Sequence, residues 1–152
     1  MDSLYDQDLV LWSEQRARAL RAAAGGGWTA PFDWANVTEE IETLGRSERH
    51  ALACHIAIVI DHLMKPQVSS ATEPARGWWD TTRRARGEIE GRLEESPSLR
   101  GDAVGIVAHE TARARALVRA NLNDDGEHPL IDLNALNYAE PQMLEVWLPD
   151  NE

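Results

Sequence analysis

The chain has 152 residues, with 15 basic and 26 acidic side chains giving a net charge of −11. That length suits one domain spanning 1–152, whose core needs neither metal nor disulfide to hold it. The charge argues against a nucleic-acid surface, which requires a concentrated basic face. The acid is also uneven: residues 120–152 carry eight acidic groups and no Lys or Arg. The densest basic group is Arg76, Arg83, Arg84, Arg86 and Arg92. Asp80, Glu88 and Glu90 interleave it, as on a solvated helix face. A single cysteine, Cys54, leaves no internal disulfide and no cysteine-based zinc site. Met1-Asp2-Ser3-Leu4-Tyr5-Asp6 lacks the basic and apolar regions of a signal peptide. The apolar run Ile56–Ile60 is far too short to span a bilayer. The expected location is the cytoplasm, without a membrane partner.

Helical spacing dominates the pattern. Tyr5, Leu9, Trp12, Ala19, Leu20 and Ala23 predict the buried face of a first helix. Gly25-Gly26-Gly27 ends it, because consecutive glycines do not hold a helix. Asp33 is placed to cap a second helix from Trp34 to Leu44, which Gly45 interrupts. Ser47 either restarts the chain as the cap of a third helix or sits inside one bent helix; the third helix, to about Lys65, carries Leu52, Ile56, Val59, Ile60 and Leu63, and Pro66 stops it. A fourth, Arg76 to Glu95, faces inward with Trp78, Thr82, Ala85, Ile89 and Leu93. Its Gly87 and Gly91 lie off that face. Pro97 suits the first turn of a fifth helix reaching Leu122, with Val104, Val107, Thr111, Ala114, Val118 and Leu122 inward. An acidic loop at Asn123–Gly126 and a short helix near Pro141–Trp147 follow. Met143, Leu144, Val146, Trp147 and Leu148 are dense enough in apolar surface to dock as a clasp. The expected fold is all-α: an antiparallel bundle of about five helices plus a short C-terminal docking helix.

Several segments together resemble a bacterial family, the domain-of-unknown-function family numbered 29. They are Tyr5-Asp6-x-Asp8 with Leu11-Trp12, then Asp33-Trp34, and Glu39-Glu40-Ile41-Glu42-x-Leu44-Gly45-Arg46-Ser47-Glu48. His55, His62-Leu63-Met64-Lys65, Trp78, Ser96-Pro97-Ser98-Leu99 and the Trp147-Leu148-Pro149 ending also fit. The chain departs from the family pattern after Lys65, where Pro66 stands in place of the usual Trp. The resemblance implies a soluble, single-domain, all-helical bacterial protein. It supplies no activity, cofactor or catalytic residue.

The strongest candidate for chemistry is a stripe on the third helix. Glu48, His55 and His62 are seven residues apart and drift only about 20° per step. Carboxylates and imidazoles at the edge of an apolar face can hold a divalent ion in a helical bundle. Glu42, or Glu39, would add an oxygen, and His109 and Glu110 a ligand from across. Against this, seven residues rise about 10.5 Å, so one ion does not bridge both histidines on a straight helix. His62 is then a boundary histidine, and His109, away from its apolar face, points to solvent. The carboxylates Glu39, Glu40 and Glu42 suit the start of a helix. With Arg46, Arg49 and Glu48 they predict a charge-paired elbow around Gly45. Cys54 reads as a structural thiol, despite His50 four residues earlier. Trp12, Trp34, Trp78 and Trp147 read as core, Trp28 and Trp79 as interaction surface.

Two functions fit these features. One is a non-catalytic protein-binding or regulatory module without cofactor, whose partner is another protein or a basic surface drawn by the negative charge. The alternative is a divalent-metal-binding bundle, holding zinc for example through His55, His62, Glu42 and Glu48, with hydrolase- or transferase-type activity.

Overall fold

A computed structural model of the chain describes residues 3–26, 33–68 and 75–144. Among these residues the regular elements are six α-helices and two short 3-10 turns, with no strand. The fold is an all-α bundle organised on one long helix.

That helix, α3, runs Trp34–Val68 without a break. Asp33 starts it as expected, accepting from the Asn36 amide at 3.1 Å. The predicted interruption at Gly45 does not occur. A glycine costs a helix interior only about 1 kcal/mol, and packing of the flanking turns outweighs that. Gly45 is instead a point of close approach: a Cβ there would stand 2.7 Å from Ser13 Oγ. Pro66 does not end the helix either. It lies in the last turn, where the donor it lacks leaves only the His62 carbonyl unserved. The Gln67 side chain caps the Leu63 carbonyl at 2.7 Å, and Val68 accepts from the Leu130 amide at 3.0 Å.

The predicted first helix is two, α1 (Leu4–Gln7) and α2 (Leu9–Gly25). Asp8 divides them, because its carboxylate accepts from the Leu11 amide at 2.8 Å and caps α2. The buried face is also turned from the predicted one. Val10, Ser13 and Ala17 are buried, while Tyr5 is 54% exposed and Ala19 and Ala23 face solvent. Close approach at Gly45 selects small residues for the contact line, and Leu9, Trp12 and Leu20 flank it half-buried. Tyr5 meets Trp12 edge to face, with ring centroids 5.0 Å apart.

Helix α4 (Ala75–Glu95) buries Thr82, Ala85, Ile89 and Leu93 as expected. Gly87 and Gly91 lie off that face with nothing near their missing Cβ atoms. A 3-10 turn, Pro97–Leu99, leads directly into α5 (Arg100–Asp124). Its buried line is Ala103, Val107, Glu110, Thr111, Ala114, Val118 and Leu122. Val104 falls to the edge of this line and is 64% exposed, against expectation. The helix closes on Gly126, at φ 69°, with the Glu127 amide reaching back to the Leu122 carbonyl at 2.8 Å. That left-handed closing residue is where glycine costs least.

Residues 127–144 form a strap over α4 and α5, ending in α6 (Glu140–Leu144). Leu133, Leu136 and Met143 are buried beneath it. Only Met143 of these was expected to dock; Leu133 and Leu136 sit in irregular backbone with no period to betray them. Arg115 Nε donates to the Leu136 carbonyl at 2.9 Å, and Arg86 to the Gln142 carbonyl at 2.8 Å. Val146, Trp147 and Leu148 of the expected clasp lie outside the described residues, as does Trp28.

Gln67 Nε2 also donates to the Tyr138 hydroxyl at 2.9 Å. Burial pushes the Tyr138 phenol up to about 12, from an ordinary 10.0, despite that bond and the nearby Arg115. A raised pKa means the neutral phenol favours the folded state. This contribution is complete below about pH 10 and disappears as pH rises through about 12. Subtracting the 295 nm titration of Tyr138→Phe from that of the wild type should isolate a transition near 12. A transition near 10 would place the phenol in water.

The core sits around the C-terminal two thirds of α3, where Leu52, Val59, Ile60, Leu63 and Met64 have no solvent exposure. Helices α2, α4 and α5 each pack on α3. Helices adjacent in sequence run antiparallel: Arg21 meets Glu42 and Glu14 meets Arg49, while Glu48 meets Arg92 and His62 meets Trp78. As a consequence α3 and α5 lie side by side in the same direction.

Candidate functional site

The stripe singled out in the sequence faces α4. Glu48 pairs with Arg92 at 2.6 Å, both side chains about a quarter exposed. His62 donates from Nδ1 to the Ile58 carbonyl at 2.8 Å and packs edge to face on Trp78, centroids 6.4 Å apart. His55 lies between them, half-buried. Glu42 is elsewhere, bound to Arg21 at 2.5 Å on the α2 side. That hydrogen bond holds its carboxyl below the usual range, with the charge of Arg46 assisting. The structure therefore does not bring His55, His62, Glu42 and Glu48 together. Among the described residues no group of three or more His, Cys, Asp or Glu side chains is arranged to hold a metal ion. His109 is exposed, as expected, beside Glu110 at 3.1 Å.

The expected elbow at Gly45 is replaced by ion pairs between helices. Arg49 of α3 binds Glu14 of α2 and, at 2.7 Å, Asp102 of α5, joining three helices. Partial burial draws its pKa down, but the two carboxylates more than offset this and the net shift is upward. The basic group on α4 does not form one face either. Arg83 pairs with Asp80, Arg92 turns to Glu48, and Arg86 is buried under the strap. Burial pulls the Arg86 pKa down.

A cleft of about 540 Å³ between the end of α2 and the start of α3 is lined by Trp34, Thr38, Glu39 and the Arg21–Glu42 pair. Its one further cation, Arg46, donates to Thr43 Oγ1 at 2.7 Å. The charges of this cleft are thus largely satisfied within the chain.

A second concavity, of about 490 Å³, lies in the valley between the parallel helices α3 and α5. Ala53, Ala57 and Ala114 line it with small side chains, and Ile58 and Leu117 stand on its walls, 36% and 55% exposed. Exposed Cys54 is here, its sulfur 3.6 Å from His50 Nε2, so the thiol is not a packed core group. Asp61 binds Lys65 at 2.7 Å. Glu110, only 7% exposed, is flanked by His109 and by Arg113 at 3.6 Å. The valley is not legible from helical spacing because its α3 residues lie on the side away from the apolar stripe. The spacing of Cys54, Ile58 and Asp61 four and three apart was the signal available. Of the tryptophans, Trp12, Trp34 and Trp78 are half-buried. Trp79, expected at an interaction surface, packs against the core.

A small-residue valley bounded by two continuous helices defines a helical-bundle protein with an open groove. The family profile described as "Domain of unknown function DUF29" matches residues 4–134, nearly the whole chain. The chain belongs to this family. It is also similar to an α-helical protein of unknown function from Rhodospirillum rubrum, known from its crystal structure. The two share 19% identity and a TM-score of 0.74 over 95% of this chain and 91% of that one. At that identity the likeness concerns the fold alone. No curated protein of known function matches. No helix among the described residues is long and apolar enough to cross a membrane.

Proposed function

We propose that this protein is a non-catalytic protein-binding module of the bacterial cytoplasm, with the α3–α5 groove as its docking face. The carrying observation is the pair Ile58 and Leu117, exposed on opposite walls of a valley lined by alanines. Large aliphatic side chains beside small ones leave room for an apolar anchor from another protein, such as one face of a helix. The ionic groups around the groove already have partners in this chain, so binding there rests on apolar contact. The test is co-purification from the native host with Leu117→Glu and, on the far side of α5, Ala108→Glu. The docking reading requires a protein that accompanies the wild type and Ala108→Glu but not Leu117→Glu. A set of companions identical for all three, from a chain that is itself monomeric, would contradict it.

The metal alternative separates from this one directly. With Glu42 and Glu48 held by arginines, adding zinc or manganese should leave the melting temperature unchanged, and His55→Ala/His62→Ala should not alter metal content. A stabilisation by zinc that vanishes in the double variant would restore the metal reading, since a ligand of the native state stabilises it by mass action.

A further inference from the structure

We infer that the cleft between the end of α2 and the start of α3 binds a small zwitterion whose ammonium and carboxylate lie several bonds apart, as in a dipeptide or an ω-amino acid. The inference is independent of the α3–α5 groove, which shares no residue with this cleft. Its starting point is Thr38. The hydroxyls of Thr43, Thr81, Thr82 and Thr111 each donate to the carbonyl four residues back. The Thr38 hydroxyl has no hydrogen-bond partner among the described residues, although its side chain is only 5% exposed. Nor is its oxygen sealed in the core. Thr38 lines the cleft, so the hydroxyl opens there. A hydroxyl largely withdrawn from water and left unpaired is unfavourable, and a polar group of a ligand would complete it. The cleft, of about 540 Å³, has the size of a small-molecule site.

The charges of the cleft select the ligand. Arg21 and Arg46 balance Glu39 and Glu42. A simple anion would meet two carboxylates there, and a simple cation two guanidinium groups. Arg21 and Glu42 bind each other at 2.5 Å, which leaves one charge of each sign over. Arg46 donates to the neutral Thr43 hydroxyl at 2.7 Å, and neither it nor Glu39 forms a salt bridge among the described residues. The two leave the same flank of α3 seven residues, about 10.5 Å, apart. Arg46 leans back toward Glu39 to reach Thr43, which shortens the gap. A free α-amino acid holds its charges too close together to meet both groups. An extended dipeptide spans about 7 Å, with its carboxylate on Arg46 and its ammonium on Glu39. Thr38 adjoins Glu39, so its hydroxyl accepts a second ammonium hydrogen.

Calorimetric titration of the full chain tests this with glycylglycine, alanylphenylalanine and ε-aminocaproate. The controls are the dipeptides acetylated at one end or amidated at the other, and free alanine. At least one of the three zwitterions should bind saturably, and the preference between the dipeptides and ε-aminocaproate tells a peptide from an ω-amino acid. Blocking either end should weaken binding about tenfold or more, and alanine should bind as poorly. Glu39→Gln and Arg46→Gln should each cost about tenfold, as the loss of a charged hydrogen bond does. Both side chains are exposed, and circular dichroism checks that each variant is folded. Thr38→Val should weaken binding about fivefold while leaving the melting temperature of the free protein unchanged or higher, because it removes an unpaired hydroxyl. Glu40→Gln, exposed and outside the cleft, should change neither. Failure of all three zwitterions to saturate the wild type at millimolar concentration overturns the inference. So does binding that survives blocked ends or the two charge variants. A Thr38→Val protein that melts lower yet binds as the wild type does would show that the hydroxyl serves the fold, and overturns it as well.

Discussion

Asp8→Ala should destabilise the fold by about 3 kcal/mol, a fall of roughly 10 °C in melting temperature for a chain of this size. Asp8 is 6% exposed and its carboxylate accepts three hydrogen bonds. One comes from the Leu11 amide at 2.8 Å. The others come from the Ser98 amide at 2.7 Å and the Ser98 hydroxyl at 2.9 Å. One group thus caps α2 and ties its start to the 3-10 turn that opens α5. Losing a cap costs about 1 kcal/mol. Losing two part-buried hydrogen bonds to a charged acceptor costs about 2 kcal/mol more. Asp6 provides the contrast, since its bonds to Ser3 are exposed and local. Asp6→Ala should change stability by under about 0.5 kcal/mol. Chemical unfolding of both variants measures the difference, and equal effects would show that the Asp8 bridge is not holding the bundle.

Gly45→Leu should be still more damaging, by about 3 kcal/mol or more, because it forces α2 away from α3. Even Gly45→Ala places its Cβ 2.7 Å from Ser13 Oγ. Ser13 is 1% exposed and donates to the Val10 carbonyl at 2.8 Å, so its hydroxyl has little room to turn. Alanine gains about 1 kcal/mol of helix propensity, and the collision should exceed that gain. Gly87, with nothing near its Cβ position, isolates the propensity effect: Gly87→Ala should stabilise by up to about 1 kcal/mol. Ser13→Gly should rescue Gly45→Ala in a double-mutant cycle with a coupling of about 1 kcal/mol. Gly45→Ala stabilising the protein as Gly87→Ala does would refute the close approach.

These two residues show what the sequence reveals and what it conceals. Asp33, the glycines after Ala24, and, apart from exposed Val104 and half-buried Trp78, the inward faces of α4 and α5 are local signals that the helices obey. Gly45 and Pro66 carry local signals of the same kind, yet α3 passes through both. At each, a cost of a few kcal/mol or less is set against the packing of a 35-residue helix. The face of α2 is concealed for a related reason. Gly45 sets it, and Gly45 lies far along the chain from Val10, Ser13 and Ala17. Leu133 and Leu136 bury themselves from a strap whose backbone has no repeat.

The candidate chemistry divides in the same way. The spacing of Glu48, His55 and His62 correctly places them on one flank of a helix. Their partners are not legible, because Arg92 and Trp78 come from another helix and no local pattern announces them. Charged positions within the family-like segments serve as clips between helices: Asp8 to Ser98, Glu42 to Arg21, Glu48 to Arg92. Such pairing accounts for acidic and basic residues in those segments without catalysis. The groove stays hidden because Cys54, Ile58 and Asp61 lie on the solvent side of α3, where a helical wheel assigns no task. Only the course of α5 alongside α3 turns that side into a wall.

The most direct measurement is site-specific photo-crosslinking in cells of the native host, with a benzophenone amino acid in place of Leu117 or, as control, Ala108. If the α3–α5 groove is the docking face, position 117 should form a discrete covalent adduct with a protein, this chain or another, and position 108 should not. Mass spectrometry of the adduct then identifies the occupant. Absence of any protein adduct at 117, with the folded protein present at normal level, would contradict the account.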